Sequence, residues 1–193
     1  HFSSKRKNIL FVGGKNPIKG LKELLCAYDS SVQSLGFNLI VLGQCTIKDI
    51  QNIVNKEELH SINIANIHCR GMQDSRGMIK AYEESYCLVH PTYIDNSPNS
   101  VCEAQLSGLP VIATDVGGVS SLIENEQTGL LIGNGAKAIE IAIKKLHDDV
   151  SLREYISKEA RRMARERHDP TIILSKTIAM YKKVINKSRK YDL

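Results

Sequence analysis

Short, unbroken apolar runs alternate along this chain with longer segments in which apolar side chains recur every three or four positions. Ile9-Leu10-Phe11-Val12 ends in Gly13-Gly14, Phe37 to Leu42 ends in Gly43, and Ile67-His68-Cys69 leads to Gly71. Cys87-Leu88-Val89-His90 ends at Pro91, and the runs Val111-Ile112-Ala113 and Leu130-Leu131-Ile132 follow. Runs this short and this continuously apolar fit parallel strands buried between helix layers. Between them Leu21, Leu24, Leu25, Tyr28, Val32 and Leu35 line up as one helical stripe, and Ile139, Ala142, Ile143 and Leu146 repeat it. Further helices are expected near residues 48–61, 75–85, 98–108 and 117–125. Beyond Leu131 the strand pattern stops. Two final helices are expected near residues 151–167 and 170–187, the second with Pro170 in its first turn behind Asp169.

Alternating strands and helices joined by connections of a few residues imply an α/β fold: a Rossmann-like, doubly wound parallel sheet of about six strands. Residues 1–193 show no repeat, low-complexity stretch or linker, so they read as one domain. In such a sheet, ligands bind outside the carboxyl ends of the strands.

Length and composition narrow the class without choosing the chemistry. The 193 residues can bury a core, and no apolar run nears the ~20 residues of a membrane span. The first residues lack the apolar stretch and cleavage site of a secretory signal. The five cysteines are scattered, without a CxxC pair, and mostly lie in or beside apolar runs. That is the usage of buried thiols in a reducing compartment, so a cytoplasmic location is expected. Without an initiator Met, the chain is expected to be a piece of something longer. The net charge of +5 is concentrated late, at Arg161, Arg162, Arg165 and Arg167, then Lys182, Lys183, Lys187, Arg189 and Lys190. Such a run is a solvated helix face or a patch for nucleic acid or anionic lipid, and its few interleaved aromatics argue against single-strand binding.

Three loops at the predicted carboxyl ends carry candidate chemistry. In the first, Gly13, Gly14, Lys15 and Lys19 precede the first helix: glycines allow close backbone approach and lysines suit a phosphate. It is neither a Walker A loop nor a GxGxxG fingerprint, and an ordinary Gly-rich turn fits as well. The second runs from Pro91 to Pro110. Ser97 is a good N-cap and Pro98 a good first helical residue, which would leave the amides of Asn99, Ser100 and Val101 aimed at an anion. One turn further in, Glu103 could accept two hydrogen bonds from a ribose diol, with Asp95 across the phosphates. Each carboxylate alone also fits a turn or first-turn charge. The third loop, Thr114 to Val119, carries Gly117-Gly118 as a further expected helix start. His90 ends a strand near the crevice and reads as a packed or capping histidine. No metal constellation with credible ligand spacing is present.

Asp95 and Glu103, seven residues intervening, are followed by Ala104-Gln105-Leu106-Ser107-Gly108-Leu109-Pro110-Val111-Ile112-Ala113-Thr114 and then Gly117-Gly118. This run resembles the donor-site signature of the retaining GT-B glycosyltransferases of family 4. Phe11-Val12-Gly13 with Lys19-Gly20 looks like that family's first Gly-rich loop, and Thr128-Gly129-Leu130-Leu131 like its late strand. The resemblance covers nearly the whole chain and implies the carboxyl-terminal, nucleotide-sugar-binding half of a two-domain enzyme. It implies that Glu103 holds the ribose, Asp95 contacts the transferred sugar, Lys19 neutralises the diphosphate, and the region of Asn99, Ser100 and Val101 holds phosphate or sugar. Base recognition falls near Gly71, Met72 and Gln73. The implied activity is hexosyl transfer with retention from a nucleoside diphosphate sugar to a glycan or lipid-linked acceptor, without metal or other cofactor. The implied partners are the nucleotide sugar, the missing amino-terminal domain and the acceptor, with peripheral contact to the inner face of the cell membrane and no nucleic acid. The final helices, 151–187, are expected to pack toward the missing domain, and residues 1–193 alone are expected not to turn over. The chain departs from the pattern at Asp95, where Glu is usual, and at Gly14, where Arg is usual. A sugar-nucleotide epimerase on the same plan and a non-catalytic nucleotide-sugar-binding module are the alternatives.

Overall fold

In a computed structural model, residues 6–188 are described, with side chains as far as Asn186. The Lys187 side chain, Arg189 and Lys190 of the basic run lie outside the described residues. Among those described, six strands form one parallel sheet: β1 (Asn8–Val12), β2 (Asn38–Leu42), β3 (Ile67–Cys69), β4 (Ser85–His90), β5 (Val111–Thr114) and β6 (Leu130–Ile132). Their order is β3-β2-β1-β4-β5-β6. The chain builds outward from β1 to β3, then returns to place β4 on the other side of β1. That reversal makes the crevice beyond β1 and β4 the ligand position of a doubly wound sheet.

Alternating strand residues feed two cores. Ile9, Phe11, Leu39, Val41, Cys87, Val89 and Ile112 pack on one face, under α1 (Leu21–Ala27) and α5 (Ala136–Asp148). Leu10, Ile40, Leu42, Leu88, Val111 and Ala113 face the other way, toward α3 (Ser75–Glu84) and α4 (Asn99–Ser107). Burial on both faces is why the strands read as unbroken apolar runs.

Several expected helices change form. The stripe from Leu21 to Leu35 is one element in burial but not in winding. After α1 it passes through a π turn, Tyr28–Val32, and a 3-10 turn, Gln33–Leu35, before Gly36 ends it at φ 80°. Helix α2 covers Ile47–Lys56 instead of 48–61, started by a Thr46–Asp49 capping box and followed by a turn with Glu58 at φ 54°. The helix expected over 117–125 is absent: only a 3-10 turn, Val119–Ser121, forms there. Its backbone bonds are diverted, because the Ser121 hydroxyl donates to the Gly118 carbonyl and the Gln105 amide takes the Leu122 carbonyl. Helices α6 (Val150–Arg167) and α7 (Pro170–Ser188) close the chain, and Asp169 Oδ1 accepts from the amides of Thr171 and Ile172. Arg167, at the end of α6, donates 3.0 Å bonds to Gln105 Oε1 and the Leu122 carbonyl, tying α6 to α4.

Candidate functional site

Three loops meet at the carboxyl ends of β1, β4 and β5, and backbone contacts hold them together. The Ile18 carbonyl accepts from the Tyr93 amide at 2.8 Å and from the Thr92 hydroxyl at 3.1 Å. Thr114 Oγ1 donates to the Thr92 carbonyl at 2.5 Å. Gly20 passes so close to Pro91 that a Cβ there would lie 2.0 Å from the Pro91 oxygen. The pair Gly117-Gly118 does the same on the other flank. A Cβ on Gly117 would meet the Asp95 oxygen at 2.2 Å, and one on Gly118 the Asn96 oxygen at 2.0 Å. These glycines therefore seat one loop on another. They do not open a helix start toward the crevice.

Inside this framework Lys19 and Asp95 form an ion pair, Nζ to Oδ2 at 2.7 Å. Asp95 also accepts from the Ser97 amide at 3.3 Å. Burial opposes ionisation of Asp95, but the Lys19 ammonium and the neighbouring donors hold its carboxyl below the usual range. Behind it, His90 is buried at the end of β4, with Nε2 3.2 Å from Asp95 Oδ2 but out of hydrogen-bonding alignment. Burial pushes the His90 imidazole down to about 4 against the pull of Asp95, so it is neutral near pH 7. The histidine is a packed one, as its strand-end position implied.

The start of α4 lies one residue later than Ser97 and Pro98 suggest. Pro98 occupies the N-cap, no side chain caps the helix, and Asn99 is its first residue. Val101 is buried and its amide donates back to the Pro98 carbonyl at 3.1 Å, so it is not an open anion donor. Asn99 and Ser100 remain at the open end, where first-turn amides have no intrahelical acceptor.

The first Gly-rich loop also differs from expectation. The Gly13 and Gly14 amides both donate to the Leu42 carbonyl, at 3.0 and 2.9 Å, and the Lys15 amide donates to the Gln44 carbonyl. Gly14 sits at φ 59°, with its missing Cβ 2.7 Å from the Gln44 nitrogen. The glycines thus permit β1 and β2 loops to touch, and their amides are spent on each other's chain. Lys15 reaches away to Asp49 at 3.1 Å. Of the four residues proposed in this loop, Lys19 alone meets Asp95.

Glu103 lies on the exposed side of α4, in a groove of about 370 Å³ shared with Gln73, Asp74, Met78, Ile79 and Tyr82. Tyr82, at the end of α3, donates its hydroxyl to Glu103 Oε2 at 2.8 Å. Burial and then the carboxylate raise the Tyr82 phenol, which keeps it a donor. Met72 is 74% exposed beside Gln73. The loop carrying both is anchored by the Gly43 amide bonding the Gly71 carbonyl at 2.8 Å. Of the residues expected near a ribose and a base, Glu103 and Gln73 share this groove, while Gly71 and Met72 do not line it. Tyr82 was not singled out in the sequence; it looks there like one more apolar-stripe residue, and its partner is on a different helix.

A larger cavity, about 880 Å³, lies at the opposite ends of the strands, lined by Arg6, Glu83, Glu154, Lys158, Arg161 and Arg165 among others. It contains none of the candidate donor-site residues, but Arg161, Arg162 and Arg165 of the late basic run line it. Among the described residues, no helix is long and apolar enough to cross a membrane.

Comparison with known proteins identifies the family and the fold. The family model described as "Glycosyl transferases group 1" matches residues 1–163. The capsular polysaccharide biosynthesis glycosyltransferase CapM of Staphylococcus aureus is 28% identical over 179 residues, covering 92% of this chain and 46% of that protein. HepE of Anabaena, solved in complex with UDP, superposes with a TM-score of 0.76 at 18% identity, over 93% of this chain and 50% of its own. Sucrose-phosphate synthase from Thermosynechococcus elongatus gives a TM-score of 0.78 at 23% identity, over 96% and 47%. The chain thus spans about half the length of these relatives.

Proposed function

The chain belongs to the group 1 glycosyltransferases, and from that premise we propose that it is the donor-binding half of an enzyme that transfers a sugar from a nucleoside diphosphate sugar. The observation that carries the reading is the pairing of two differently held carboxylates beside the start of α4. Asp95 is neutralised by Lys19 at 2.7 Å, and Glu103 is open in a groove with Gln73 and Tyr82. An exposed carboxylate suits the neutral diol of a ribose. A lysine and helix-start amides suit a diphosphate.

In the whole enzyme the bond between the anomeric carbon and the diphosphate oxygen breaks, and the diphosphate leaves with the electron pair. The acceptor hydroxyl bonds the carbon on the same face and gives up its proton to the departing diphosphate oxygen. Lys19, with the amides of Asn99 and Ser100, meets the charge that develops on the leaving group, and no metal ion is required for that role. Asp95 is placed to hold the sugar. The acceptor is a glycan or lipid-linked hydroxyl, and its site belongs to the domain that would complete the cleft. Helix α7 offers that domain an apolar surface, with Ile173, Leu174, Ile178 and Tyr181 each more than two-fifths exposed. The enzyme would work in the cytoplasm, with its basic helices toward the membrane.

The test is titration calorimetry of residues 1–193 against UDP, GDP, ADP and CMP and their sugar conjugates. At least one diphosphate should bind, and Glu103→Gln should weaken it about tenfold or more, the worth of a charge-assisted hydrogen bond. Absence of binding by every nucleotide at millimolar concentration would overturn the proposal. Binding with transfer by this chain alone would overturn the division of labour between domains.

A further inference from the structure

We propose that Tyr82 is a positioning residue for the nucleotide, fixing Glu103 so that it receives the ribose hydroxyls and giving the groove its preference for ribonucleotides. The inference rests on the donor-binding reading above and assigns a residue which that reading does not need.

Glu103 is on an exposed helix face, and a free glutamate there would lose side-chain freedom on gripping a ligand. Tyr82 removes part of that freedom beforehand. Its ring is 2% exposed and packs in the same core as Ala81, Leu88, Val101 and Ala104. Strand β4 and helix α4 therefore decide where its hydroxyl sits. That hydroxyl donates to one carboxylate oxygen, Oε2, at 2.8 Å. Oε1 and the remaining lone pair of Oε2 are left to accept from a diol, whose two hydroxyls need two acceptors held at fixed spacing.

The anchor is also neutral. Asp95 is held by an ammonium that cancels its charge. Glu103 is held by an uncharged hydroxyl, so no cation competes with a diol for its carboxylate oxygens. Asp74 and Gln73 share the groove but hold other partners: Asp74 caps α3 through the Gly77 amide, and Gln73 bonds the Arg70 carbonyl. Tyr82 is the one group in the groove bonded to the Glu103 side chain among the described contacts.

The experiment compares wild type and Tyr82→Phe, which keeps the ring volume, in calorimetry with a ribonucleoside diphosphate and its 2′,3′-dideoxy analogue. The wild type should prefer the ribonucleotide. Tyr82→Phe should lose about 3- to 10-fold in affinity for it, since the variant loosens Glu103 without removing its carboxylate, and less than 1.5-fold for the dideoxy form. In a Glu103→Gln background Tyr82→Phe should add little further loss, because the two act as one unit. Equal weakening of both nucleotides would mark Tyr82 as merely structural and overturn the inference, as would unchanged ribonucleotide affinity. Neither result would touch the donor-binding proposal, which fails on its own outcome: no nucleotide bound by the wild type.

Discussion

The two flanks of the candidate crevice hold a carboxylate in opposite ways. On the loop flank, Asp95 is half-buried, paired with Lys19, backed by His90 and enclosed by loops whose glycines admit no side chain. On the groove flank, Glu103 is exposed and steadied by the single hydroxyl of Tyr82. The first arrangement is part of the fold. Disturbing it disturbs packing and charge balance together. The second is an appendage to a core that is complete without it, so it can be altered with little effect on stability. Under the proposed function, the difference separates residues that build the site from residues that read the ligand.

The largest expected effect is mechanical and confined to the loop flank. Gly118→Ala would force a Cβ to 2.0 Å from the Asn96 carbonyl oxygen. It should cost about 2–3 kcal/mol in urea unfolding, as overpacking against backbone does. On the groove flank, Gly71 has φ 66° and open space where a Cβ would go. Gly71→Ala should cost only the left-handed backbone penalty, roughly 1 kcal/mol. Equal costs would erase the distinction between the flanks.

Next comes pH. His90 takes up its proton near 6.5 in an unfolded chain but only near 4 in the fold. The unfolded state therefore binds more protons between those values, and stability should fall as pH drops from 6.5 toward 4, by something on the order of 2 kcal/mol. Asp95, whose pKa is lowered from 3.8, adds a further loss only below that value. Unfolding midpoints measured from pH 7.5 to 4.5 should show the slope, and His90→Asn should flatten it. A slope that persists in His90→Asn would place the titrating group elsewhere.

Ligand-reading effects should be smaller in stability and visible mainly in binding. Glu103→Gln should leave the melting temperature within a degree or two while lowering nucleotide affinity. Lys15 should matter least: its side chain is 59% exposed and turned to Asp49. Lys15→Ala should change diphosphate affinity less than twofold, whereas Lys19→Ala should weaken diphosphate far more than nucleoside. If Lys15→Ala matched Lys19→Ala, the loop would bind phosphate along its whole length.

The sequence made the sheet legible because each strand is buried on both faces, and that leaves an unmistakable run such as Cys87-Leu88-Val89. It pointed to Asp95, Glu103 and Lys19 as candidates because strand ends are where a doubly wound sheet exposes its loops. Two things were not legible. Gly117-Gly118 reads as a helix start because glycine marks backbone freedom, and nothing local says whether the freedom serves a ligand or another loop; in the fold it serves residues 95 and 96. Likewise Tyr82 and Glu103 sit 21 positions apart on separate helices. A contact between helices obeys no spacing rule within either one.

The contact between Gly14 and the backbone of Gln44 has a historical consequence. Where the resemblance leads one to expect arginine at position 14, this chain has a loop that could not hold one: the backbone is left-handed there, and Gln44 fills the space of the first side-chain carbon. Gly43, at φ 109°, completes the contact from the other side, with its own missing Cβ 2.7 Å from the Gly14 nitrogen. Restoring the arginine would require the loop after β2 to be rebuilt at the same time. The two segments are locked in epistasis, so a chimera that exchanges one of them with a relative should fail, while exchanging both together should fold.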